Sequence, residues 1–168
     1  MPVASNLCYI FAFVNLILTK KEKFVIMPAM NPYLNFKDSC EEAFEFYRSV
    51  FGGEFMTLMR MGDADMGMPV PDHAKNLIMH VSLPIGNNVL MGSDAPDDFC
   101  PTPLQAGNNF SISISAESRD DADRIYNALS EGGTQVMPMQ DMFWGAYWGM
   151  LTDKFGINWM VDHSDHEG

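Results

Sequence analysis

The sequence predicts an α+β fold: two βαβββ modules, each a sheet with a helix on one face, curved around a shared cleft. Three observations carry that expectation. Ser39-x-x-Glu42-Ala43-x-x-Phe46-Tyr47-x-x-Val50 recurs as Ser118-x-x-Asp121-Ala122-x-x-Ile125-Tyr126-x-x-Leu129. Each copy runs into a glycine pair, Gly52-Gly53 and Gly132-Gly133, so a capping box, an apolar stripe and a Gly stop return in order. Around each copy, one short apolar run precedes the helix and three follow it.

In chain order, Tyr33 to Phe36 reads as a strand between Pro32 and the Asp38-Ser39 cap. The first helix spans Cys40 to Phe51, with Ala43, Phe46, Tyr47 and Val50 at helical spacing. Glu54 to Arg60 is a second strand, Gly62 to Lys75 a loop, and Leu77 to Leu83 a third strand. Gly86-Asn87 turns the chain into a fourth, Val89 to Met91. Ser93 to Gly107, with Pro96, Pro101 and Pro103, connects the modules. Asn109 to Ser115 alternates serine with Phe110, Ile112 and Ile114, the period-two signature of a half-buried strand. A second helix runs from Arg119 to Glu131. Strands follow at Thr134 to Met139, Trp144 to Thr152 and Asn158 to Asp162. The organisation is therefore an N-terminal extension (1–30), a first module (31–95), a linker (96–107), a second module (108–162) and a polar tail (163–168).

Leu7 to Leu18 is apolar but shorter than the ~20 residues a membrane-spanning helix needs. It lacks the basic flank and small-residue cleavage site of a signal peptide. Met27 and Met30 precede the first strand, so residues 1–29 read as an extension from an upstream start codon. Acidic residues outnumber basic ones 22 to 10, and a net charge of −12 repels phosphate backbones, which argues against nucleic acid. The 3 cysteines, Cys8, Cys40 and Cys100, are widely spaced, which argues for a reducing, cytoplasmic compartment and against a disulfide framework or structural zinc. The 15 methionines suit an adaptable apolar pocket or core filling alike.

A set of short motifs runs from Asn31 onward: Pro32-Tyr33-Leu34-Asn35-Phe36, Ala43-Phe44-Glu45-Phe46-Tyr47, Phe51-Gly52-Gly53, Met79-His80 and Leu90-Met91-Gly92-Ser93-Asp94. It continues through Phe143-Trp144-Gly145 and Gly149 to Gly156, ending at Asn158-Trp159. In these motifs the chain resembles the PhnB-like branch of the vicinal oxygen chelate superfamily, which includes glyoxalase I, extradiol dioxygenases and bleomycin-resistance proteins. The resemblance implies a glyoxalase-like fold, a homodimer, and a small-molecule site between modules. Relatives often carry a ubiquinone-pathway methyltransferase label, yet the chain has no Gly-rich strand-turn-helix motif for a nucleotide-type cofactor.

The resemblance also implies where a divalent ion would sit. Enzymes of the superfamily place His, Gln or Glu ligands on the first and fourth strand of each module. The corresponding strands here offer Asn35, Met91 or Ser93, Ser111, and Met160 or Val161. No metal-ligand set is secure among them, and a divalent metal enters only as the superfamily's habit.

Strand phase selects the candidate site residues. Leu34 and Phe36 suit the helix-covered face, leaving Tyr33 and Asn35 to the cleft. Met79, Val81 and Leu83 pack, so Ile78, His80 and Ser82 point the other way. Phe110, Ile112 and Ile114 pack, leaving Ser111, Ser113 and Ser115 opposite. On the last strand either Asn158, Met160 and Asp162 or Trp159 and Val161 face the cleft.

His80 is the catalytic candidate, as a general base or lone ligand, against the reading of a core histidine satisfied by hydroxyls such as Ser82. Trp144 and Trp148, with Phe143 and Tyr147, either wall an apolar or cationic ligand or pack a core or dimer contact. Tyr33, Asn35, Ser93, Ser111 and Gln140 complete the ligand-binding set. Asp63 to Asp65 and Asp94 to Asp98 read as solvated loops. Cys40 at a helix start reads as structural. His163 and His166, with Asp162 and Glu167, make at most an adventitious site in the tail.

The expected function is small-molecule binding. One alternative is a metal-dependent or His-based lyase, isomerase or dioxygenase-type enzyme. Another is a partner-binding structural dimer.

Overall fold

A computed structural model describes residues 29–65, 67, 69–100 and 102–164. The readings on the N-terminal extension, Cys8, His166 and Glu167 fall outside those residues. The described chain forms strands β1 (Tyr33–Phe36), β2 (Thr57–Arg60), β3 (Ile78–Ile85) and β4 (Asn88–Asp94), with helix α1 (Cys40–Phe51) between β1 and β2. It continues with β5 (Ile112–Ser115), α2 (Arg119–Leu129), β6 (Thr134–Asp141), β7 (Tyr147–Thr152) and β8 (Asn158–His163). The sheets run β1-β4-β3-β2 and β5-β8-β7-β6. In each, the first strand pairs parallel with the fourth and the other pairs are antiparallel. The duplicated βαβββ order predicted by the repeat is the architecture found.

Both helices and one face of each sheet share a single core. α1 buries Cys40, Ala43, Phe44, Tyr47 and Val50, and α2 buries Ala122, Ile125, Tyr126 and Leu129. Against them lie Leu34, Phe36, Val81, Leu83 and Leu90 from the first sheet and Ile112, Leu151, Trp159 and Val161 from the second. Phe155, in the β7–β8 turn, contacts Phe36, Phe46 and Tyr47 edge-on or tilted, which seats the second module against the first helix.

The capping box forms in one copy only. Ser118 accepts from the Asp121 amide, whereas Ser39 makes no side-chain cap bond. Asp94 from β4 takes over the start of α1: Oδ1 accepts from the Cys40 amide at 3.0 Å and Oδ2 from the Ile78 amide at 2.8 Å. Asp94 is buried, not part of a solvated loop. Burial raises its pKa, and the backbone amides hold it back. Cys40 beside it is fully buried, and burial, then the Asp94 charge, pushes its thiol far above the usual range. The prediction is that Cys40 resists alkylation in native protein and reacts on unfolding, read by peptide mapping. Native labelling at the rate of Cys100 would refute it.

Several elements differ from expectation. Met79 is exposed and Ile78 fully buried, the reverse of the strand-phase reading. A bulge explains it: Met59 pairs with His80 but Arg60 with Ile78, so Met79 is the extra residue and the phase flips there. Phe110 is exposed because β5 begins only at Ile112, where pairing with Trp159 starts. Trp144 lies in the β6–β7 turn, closed by Met142 to Ala146 and by Gly145 to Met142 backbone bonds. β4 runs on through Asp94. α2 stops at Leu129, two residues short. β8 extends through His163, whose Nδ1 lies 3.0 Å from the Ala116 carbonyl, so this residue belongs to the sheet and not to a loose tail.

Candidate functional site

The sheet faces turned away from the shared core are open. On the first sheet, register places Tyr33 beside Met91, Met91 beside Ser82 and Ser82 beside Thr57. A second row carries Asn35 beside Ser93, with His80 beside Met59. Tyr33 stacks on His80 with ring centroids 5.9 Å apart, and Tyr33 Oη lies 3.4 Å from His80 Nδ1. Ser93 Oγ donates to Asn35 Oδ1 at 3.4 Å. His80 is half-buried on this face. The structure therefore brings Tyr33, His80, Asn35 and Ser93 together.

The second sheet repeats the layout with other side chains. Gln140 stands beside Trp148, Trp148 beside Asp162, and Asp162 beside Ser115. The next row is Met137, Met150, Met160 and Ser113. Ser113 Oγ and Ser115 Oγ each donate to Asp162 Oδ1 at 3.4 Å. Trp144 meets Trp148 edge-on at 6.2 Å, and Phe143 meets Trp144 at 4.8 Å.

Two expectations change here. Trp159 and Val161 are fully buried, so Asn158, Met160 and Asp162 hold the open phase of β8 and Val161 leaves the candidate ligand positions. Tyr147 leaves the aromatic cluster, because it alternates with Trp148. Its hydroxyl donates to Asp123 Oδ1 at 2.7 Å, and the Arg119 guanidinium covers its ring at 4.6 Å. The Asp123 bond, more than burial, raises the Tyr147 pKa.

The sequence left two phases open for the last strand, and the burial of Trp159 and Val161 selects the one that puts Asp162 on the open face. Ser111 precedes β5 and lines a crevice between the modules with Phe110, Ile112, Leu90 and Trp159. A larger groove of about 410 Å³ runs between β1 and the β7–β8 turn, lined by Asn35, Lys37, Leu104, Phe110, Phe155 and Asn158.

The oxygen donors on the open faces of the first and fourth strands are two amides (Asn35, Asn158), four hydroxyls (Tyr33, Ser93, Ser113, Ser115) and one carboxylate (Asp162). One anionic group among neutral oxygens does not fit a tightly held divalent ion. Among the described residues, no group of three or more His, Cys, Asp or Glu is placed to hold a metal. No helix among them is long and apolar enough to cross a membrane.

Two mixed four-stranded sheets built from tandem βαβββ units, with both helices on one side, define a glyoxalase-like fold. Residues 28–162 match the family described as 3-demethylubiquinone-9 3-methyltransferase, and the chain belongs to that family. It is similar to the solved protein PA1353 of Pseudomonas aeruginosa, at 38% identity over 82% of this chain and 98% of that one, with a TM-score of 0.72. A Bacillus cereus structure, described as a putative 3-demethylubiquinone-9 3-methyltransferase, PhnB protein, aligns over 82% of this chain and all of its own at 21% identity and TM-score 0.66. Protein YjdN of Escherichia coli is 27% identical over 144 residues, 79% of this chain and 93% of its own.

Proposed function

We propose that the protein is a cytoplasmic, homodimeric small-molecule-binding protein whose ligand lies against the open sheet faces. One observation carries the reading. The helix side of both sheets is closed by buried apolar side chains, while the opposite faces present half-buried His80, Met91, Trp148, Met150 and Met160 among hydroxyls and amides. Apolar area with a few convergent polar groups is the composition of a ligand surface. Tyr33, Asn35, His80 and Ser93 serve the first face. Gln140, Trp144 and Trp148 serve the second, with Ser111 in the crevice between modules. Dimerisation is favoured by the β6–β7 turn, where Phe143 is 96% exposed. Sedimentation of tag-free protein tests it, and a monomer at all concentrations would sink it.

The Tyr33–His80 contact favours a second reading, in which His80 acts as a base. The two readings separate in one variant. His80→Ala is expected to weaken ligand protection about tenfold while the unfolding midpoint shifts little. Unchanged protection would remove His80 from the site. Turnover of a bound compound that is lost in His80→Ala would favour the base over binding alone.

A further inference from the structure

The two open faces differ in one respect that bears on ligand class. The row across the first sheet, Met59, His80, Ser93 and Asn35, holds no carboxylate. The matching row across the second, Gln140, Trp148, Asp162 and Ser115, holds one at its centre. Neighbouring strands lie about 4.8 Å apart, so the Trp148 indole and the Asp162 carboxylate stand side by side on this face. Trp144 turns its ring 69° to Trp148 at 6.2 Å, which makes an aromatic corner.

Asp162 has partial partners only. Its Oδ1 receives two long serine bonds, and among the described residues its Oδ2 has no hydrogen bond and neither oxygen has an ion pair. A half-buried carboxylate with no ion pair among the described residues, on a face shared with indoles and the thioethers of Met150 and Met160, suits a cation with apolar substituents. A bare metal ion would want more anionic oxygen. An alkylated ammonium carries its charge on an apolar surface, which suits indole faces and methionine equally. The net charge of −12 raises the local concentration of any cation.

We propose that the open face of the β5–β8 sheet binds an organic ammonium ion, with Asp162 as counter-ion and Trp148 and Trp144 as the aromatic wall. This rests on the binding reading above and names its ligand class.

The test titrates the full chain with choline and with dimethylbutanol, the uncharged isostere in which a tert-butyl group replaces trimethylammonium. Tryptophan emission and calorimetry are the readouts. Choline is expected to bind saturably and the isostere at least about tenfold more weakly. Asp162→Asn is expected to lose about tenfold in choline affinity with its circular dichroism and unfolding midpoint retained, and Trp148→Leu to lower affinity as well. An isostere bound as tightly as choline, an Asp162→Asn variant that binds choline like the parent, or no saturation by choline overturns the assignment. A mixed set of neutral, anionic and cationic compounds separates the two levels. Protection by neutral or anionic compounds alone sinks the ammonium site and keeps the binding reading, and protection by none sinks both.

Discussion

Gly133→Ala is expected to destabilise the protein by roughly 3 kcal/mol or more, read as a fall in urea midpoint and a Tm lower by about 6–12 °C. Gly133 sits just before β6, where the chain leaving α2 crosses the end of β7. A Cβ there would lie 2.3 Å from the Thr152 carbonyl oxygen and 2.9 Å from the Asp153 Cα. Both are backbone atoms, so no side chain can swing aside. Relief requires moving β6 away from β7, and Thr134 pairs with Thr152 at that point. Gly107→Ala is the control, since its Cβ would meet only the Asn109 side chain at 3.2 Å. It is expected to change stability by about 0.5 kcal/mol or less. Equal midpoints for the two variants would show that the β6–β7 contact yields more readily than its geometry implies.

The same glycine shows how the sequence speaks. The pair Gly132-Gly133 stands out as a helix stop, yet Ser130 already ends α2. Gly133 is required by tertiary crowding, which no local pattern records. Elements fixed by local chemistry were legible: β1 and α1 have the bounds that Pro32, the Asp38-Ser39 turn and Gly52 imply. Gly52 fits its role directly, with φ of 77° at the end of α1. Elements fixed by pairing were less so. The serine alternation from Asn109 runs on past the partner strand, so its first residues, Phe110 included, are not a strand at all. The β2–β3 bulge leaves no mark in composition, and it reversed the assignments of Ile78 and Met79 while sparing His80.

The site follows the same division. His80, Tyr33 and Asn35 were readable because each lies on a strand with one clear apolar phase. Asp162 was readable only as one of two alternatives, because Trp159-Val161 and Met160 make both phases of β8 apolar until the core shows which one it holds. Asp94 lay hidden for another reason. Its partner, the Cys40 amide, is 54 residues away, and an aspartate beside Pro96 and Asp97 looks like any solvated loop.

Asp153→Asn is the second large effect, expected to cost about 3 kcal/mol. Asp153 sits at the end of β7, buried, and takes four donors. Oδ2 accepts from the Tyr47 hydroxyl and from Trp159 Nε1, each at 2.8 Å. Oδ1 accepts from the Phe155 amide at 2.9 Å and the Ile157 amide at 3.0 Å. An asparagine has one oxygen and one NH₂. With the NH₂ toward Oδ1, two backbone donors face a donor. With it toward Oδ2, the Trp159 N–H does, and an indole cannot accept. Either orientation leaves a buried donor unmet. Tyr47 belongs to α1 and Asp153 to the second module, so this carboxylate ties the two modules together. Burial, then the Asp153 charge, raises the Tyr47 pKa, which keeps its hydroxyl protonated as the donor. Tyr47→Phe removes one donor and leaves three, so it is expected to cost about 1 kcal/mol. In a double-mutant cycle the two changes should couple, because the lost bond is shared. Costs that simply add, or an Asp153→Asn variant with the parent's midpoint, would mean that the shared apolar core, not this carboxylate, holds the modules together.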